Sequence, residues 1–149
     1  MDLLAAIYET LFGLWNQSYD LIFTTLYNEG GYLKFVLSFV IIPLTCWLLF
    51  YYVWKYPYGK WWHWLTWLII ITVVVFGTTW GLANSEILAS SNQNLIDAIA
   101  DPESGYEAYA ASLPLKYATI NSVISVVISI LLYTPILKRF SKIQIHLPF

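Results

Sequence analysis

Cysteine, histidine and charge are all scarce in this chain: one cysteine, two histidines, seven basic and nine acidic residues among 149. The lone Cys46 excludes an intrachain disulfide and a thiolate metal cluster, which leaves it the role of a small packing residue. His63, set among interfacial aromatics, reads as a hydrogen-bonded surface residue. No HExxH, GxSxG, Cys/His cluster or pair of intramembrane aspartates occurs, so neither an enzyme nor a cofactor site is expected. Charged residues make up 11% of the chain, against roughly 25% in an ordinary soluble domain.

The missing charge is concentrated in long runs. Residues 35–54, 64–85 and 117–137 contain no Asp, Glu, Lys, Arg or His and are 20, 22 and 21 residues long. About 20 helical residues cross a ~30 Å hydrocarbon layer. The expected fold is therefore all-α, an integral membrane helical bundle in one domain. Its parts are an amphipathic N-terminal helix over 1–28, spans over 33–54, 62–83 and 117–137, a helical extracytoplasmic cap over 84–116, and a tail over 138–149.

Five of the seven basic residues, Lys55, Lys60, Lys138, Arg139 and Lys142, sit in the link between the first two spans and just after the third. By the positive-inside rule these segments face the cytoplasm, placing the chain in the plasma (inner) membrane with its C-terminus cytoplasmic. The same placement makes these residues a topology signal and removes any case for nucleic-acid binding. Aromatics from Tyr51 to Trp67 crowd the cytoplasmic hairpin as an interfacial belt, with Tyr56, Pro57, Tyr58 and Gly59 as its turn.

On a helix of ~100° per residue, Asp2, Glu9, Asn16 and Asp20 share a narrow stripe opposite Leu4, Ile7, Leu11, Trp15 and Ile22. Two readings follow. The helix lies on the outer membrane surface, or residues 3–27 form a fourth span whose Glu9, Asn16 and Asp20 mark an ion pathway.

Small and polar residues mark candidate helix contacts. Gly77 and Gly81 form a GxxxG spacing in the second span. Ala118, Ser122, Ser125 and Ser129, with Asn121 beside them, share one face of the third, as a packing seam or a pore wall. Pro43 and Pro135 can kink their spans. In the outer segment Asn84 or Ser85 would cap a helix starting at Glu86 and stopped by Asp101-Pro102, and a second short helix would end before Pro114.

The tail alternates in character through Ile143, Ile145, Leu147 and Phe149, the period of a strand that could dock on a partner. Two functions fit these patterns. One is a non-enzymatic membrane subunit or anchor, oligomerising or joined to other membrane or cytoplasmic subunits, surrounded by membrane lipids. The other is a homo-oligomeric ion-permeable pore lined by the third span or by the N-terminal helix.

Overall fold

The computed structural model describes residues 2–53 and 60–140, all of whose regular elements are helical. The hairpin turn at 56–59 and the tail residues Ile143, Ile145, Leu147 and Phe149 lie outside the described residues.

Helix α1 (Asp2–Ala6) widens into a π turn, Ile7–Leu11, and α2 covers Asp20–Asn28. Helix α3 (Gly31–Leu48) runs on through a π turn to Val53, and α4 (Trp61–Ala83) likewise to Leu88. A short α5 (Gln93–Ala100) precedes α6 (Tyr106–Ile128), which a third such turn, Ser129–Tyr133, joins to α7 (Thr134–Arg139). Three continuous helices result, Gly31–Val53, Trp61–Leu88 and Tyr106–Arg139, each long and apolar enough to cross a membrane. The first and third run in one direction and the second runs back between them. Lys34 meets Glu86 at one end and the Trp64 indole donates to the Thr134 hydroxyl at the other. The end carrying α1, α2 and α5 is here termed the cap end.

The N-terminal region departs from the single helix expected over 1–28. It breaks at 12–16, where Gly13 takes a left-handed φ of 62° and the Asn16 side chain accepts the Ser18 N–H to start a new turn. Asp20 then sits in the first turn of α2, a favourable place for negative charge. Neither half approaches the length of a span, so the fourth-span reading is set aside.

The expected helix start at Glu86 is also absent, because α4 does not stop. Asn84 and Ser85 turn their side chains back to the carbonyls of Trp80 and Leu82 instead of capping forward. The cap that does form is Asn92, which accepts the Asn94 N–H at the start of α5. Asp101 follows the last residue of α5 as expected.

Pro114 does not end a helix either; α6 runs through it. A proline removes one intrahelical bond, here to the carbonyl of Ala110, but the apolar stripe is unbroken across it. Ala110, Leu113, Tyr117 and Ala118 are all fully buried. The helix of 34 residues from Tyr106 to Arg139 is about 50 Å long, well beyond a ~30 Å hydrocarbon layer. Its protruding first turns form a post for the N-terminal segment. The Tyr109 hydroxyl donates to the Leu14 carbonyl at 2.7 Å, and its ring stacks on Tyr19 at 4.2 Å. Pro135, by contrast, falls in the first turn of α7 just after the π turn, where a missing N–H is most easily absorbed.

Two aromatic clusters fill the bundle near its ends. At the far end Trp47 stacks on Trp64 with centroids 5.7 Å apart and meets Phe50 edge-on. Trp64, expected in the interfacial belt, is thus a core residue, while Trp61 and Trp62 remain exposed. Between α2 and α3 the chain turns sharply at Gly30, whose φ is 71°. An alanine there meets the left-handed penalty of roughly 1–2 kcal/mol. Gly30→Ala is expected to lower thermal stability in detergent by about that amount without changing helix content, checked by circular dichroism melting.

Candidate functional site

A buried polar network lies toward the cap end of the bundle. On α1 and the π turn that continues it, Ala5 and Tyr8 turn inward at helical spacing and are buried, which leaves the neighbouring Glu9 half-buried at the edge. The Tyr8 ring stacks on Tyr32 of α3 at 5.8 Å and meets Tyr117 of α6 edge-on at 5.3 Å. Burial pushes the Tyr8 hydroxyl above the ordinary phenol range, so it stays a donor.

That hydroxyl donates to Asn121 Oδ1 at 2.7 Å. Asn121 Nδ2 in turn faces the Phe35 carbonyl at 3.0 Å, the Thr79 hydroxyl at 3.2 Å and the Ser38 hydroxyl at 3.4 Å. Ser38 and Thr79 share a further bond of 2.8 Å. One buried amide therefore ties α1, α3, α4 and α6 together. Beside it the Tyr32 hydroxyl donates to Glu9.

Of the three residues expected to mark an ion pathway, the structure brings two together. Glu9 and Asp20 line one cleft of about 360 Å³ between α1 and α2. Asp20 accepts the Trp15 indole N–H at 3.5 Å and the Thr24 hydroxyl at 3.3 Å. Asn16 is not part of the cleft and serves as a cap.

The expected packing residues divide. Ala118, Asn121, Ser122, Ser125 and Ser129 are all buried in the seam of α6, whose most extensive contact is with α4. Ser122 donates to the Ala118 carbonyl at 2.8 Å, while Ser125 and Ser129 have no hydrogen-bond partner among the described residues. Gly77 and Gly81 instead face outward, where an added Cβ would meet no atom within 4 Å. No group of three His, Cys, Asp or Glu side chains lies together among the described residues.

Comparison with protein-family models, with curated proteins and with solved structures finds no match to this chain.

Sequence reasoning singled out Asn121 but missed its partners Tyr8, Ser38 and Thr79. Their signal was faint: isolated hydroxyls in apolar helices, which serve equally well bonded to their own backbone. Removing the hub should expose its worth. Asn121→Leu strands the Tyr8 hydroxyl in an apolar site and is expected to cost about 1–3 kcal/mol, while Tyr8→Phe costs about 0.6 kcal/mol, typical of one such bond. A double-mutant cycle on denaturant unfolding in micelles checks this, and additive effects would refute a shared network.

Proposed function

We propose that this protein is a non-enzymatic membrane subunit that anchors or scaffolds an assembly, joining further copies of itself or other membrane proteins through the outer face of α4. The observation that carries this reading is the open space around Gly77 and Gly81. Small residues spaced by four let a second helix approach closely, and in lipid such van der Waals packing is a main source of helix association. Inside the chain α4 does not use them. On the same flank Val73, Val74 and Trp80 are exposed, so a neighbouring helix would find apolar surface around the glycine gap.

The chain's own polar seam is buried within it, which favours a subunit over a pore. Ser122, Ser125 and Ser129 are buried within one chain, Ser122 beside the Thr72 carbonyl of α4, and lining a conduit would require the bundle to open. With Lys60 at the start of α4 and Lys138 and Arg139 at the end of α7, basic residues gather at the end opposite the cap. By the positive-inside rule that end lies in the cytoplasm of a plasma (inner) membrane, where a cytoplasmic partner would dock on the tail over 138–149.

The native mass of gently extracted protein tests the proposal. The wild type should run as an oligomer or with a co-purifying chain, and Gly77→Leu with Gly81→Leu should reduce it to a folded monomer. Ser125→Leu should instead disrupt the bundle itself, since it overpacks a fully buried site. A wild type that runs as a lone monomer, or glycine variants of unchanged mass, would refute assembly through this face.

A further inference from the structure

We propose that the cleft between α1 and α2 binds an organic ammonium group, of the kind carried by choline or ethanolamine. Both carboxylates of the cleft, Glu9 and Asp20, are held by neutral donors: the Tyr32 hydroxyl for Glu9, the Trp15 indole and Thr24 hydroxyl for Asp20. Such donors orient a carboxylate and leave its charge uncompensated. Among the described residues no Lys or Arg lines the cleft. The two lysines of the cap end are engaged elsewhere, Lys34 with Glu86 and Lys116 over the Tyr109 ring at 5.2 Å.

The remaining walls select among cations. Trp15, Phe23 and Tyr27 border the same cleft, with 49% of Trp15 and 37% of Tyr27 exposed. Aromatic faces attract a cation through the ring quadrupole and suit one with methyl or methylene shoulders. Ala5 and Ala6 leave room for those shoulders. A hard divalent ion fits poorly, because it calls for six or more oxygen ligands and gains nothing from three rings. Two carboxylates among aromatic walls are instead the chemistry that recognises a bulky ammonium.

The position of the cleft also gives an occupant a structural consequence. Glu9 follows directly on Tyr8, whose hydroxyl holds Asn121, so a cation bound at Glu9 draws on the same helix that closes the three-helix bundle. At the membrane edge the ammonium can come from a lipid headgroup or from a free amine, and the test separates these sources.

The measurement is the indole N–H resonance of Trp15 in full-length protein in nanodiscs, assigned by its loss in Trp15→Phe. In phosphatidylglycerol discs, choline chloride should shift it saturably and sodium chloride at equal ionic strength should not. The variant E9Q/D20N removes both charges while keeping an acceptor for the Tyr32 hydroxyl and one of the two acceptor oxygens that Trp15 and Thr24 use at position 20, and should raise the half-saturation concentration about tenfold or more. The other indole resonances report whether the fold survives, and if it does not, D20N alone at the exposed carboxylate carries the same comparison. In phosphatidylcholine discs a headgroup occupant places the resonance at its bound position before choline is added, whereas a free-amine site still titrates. A shift that sodium reproduces, or one that persists unchanged in the charge-free variant, overturns the proposal.

Discussion

The amide of Asn121 is the constraint on which the arrangement of this bundle depends. In an apolar interior an unpaired amide is costly, so α6 must be rotated and shifted until both ends of the side chain find partners. Those partners come from three other helices: Tyr8 from α1, Phe35 and Ser38 from α3, and Thr79 from α4. Each bond adds little energy by itself, because the separated helices would also find partners in a membrane. The gain is in specificity. Apolar faces tolerate sliding and rotation, and a four-way polar junction admits one register.

The junction explains why the N-terminal segment folds onto the bundle instead of lying along a surface. Tyr8 brings a large ring into the Tyr32–Phe35–Tyr117 cluster and a hydroxyl to Asn121 in the same step. Docking α1 there fixes Glu9 at the rim, while the break at Gly13 swings α2 back so that Asp20 faces the same cleft. The protruding turns of α6 complete the arrangement by holding Leu14 and Tyr19. An acidic, aromatic-walled cleft thus arises from a packing solution, and its charge is left for a ligand.

Small residues lie on both an inward and an outward face of the bundle. On α6 and the turn after it, Ala118, Ser122, Ser125 and Ser129 are buried inside the chain, with Ser122 beside the Thr72 carbonyl of α4. The glycines of α4 lie on another face of that helix and remain open. A helix has room for both because successive small residues fall on different faces unless they are spaced by three or four.

The sequence by itself determined the helical class, the three long apolar helices and the segregation of basic residues, because each follows from composition and from the length needed to cross a lipid layer. It also marked Asn121, the serine stripe, Glu9 and Asp20 as residues out of keeping with their surroundings. Only the tertiary structure decided what they do. The periodicity of 1–28 suits one amphipathic helix, and the break at 12–16 follows from Gly13 together with contacts to Tyr109, some 95 residues along the chain. Pro114 and Asn84 carry strong local stop and start signals, yet long-range burial of Tyr117 and continuation of α4 override them. Whether a stripe of small residues faces inward or outward is likewise invisible in spacing. It depends on which neighbouring helix arrives there, and in this chain a single buried amide settles that rotation.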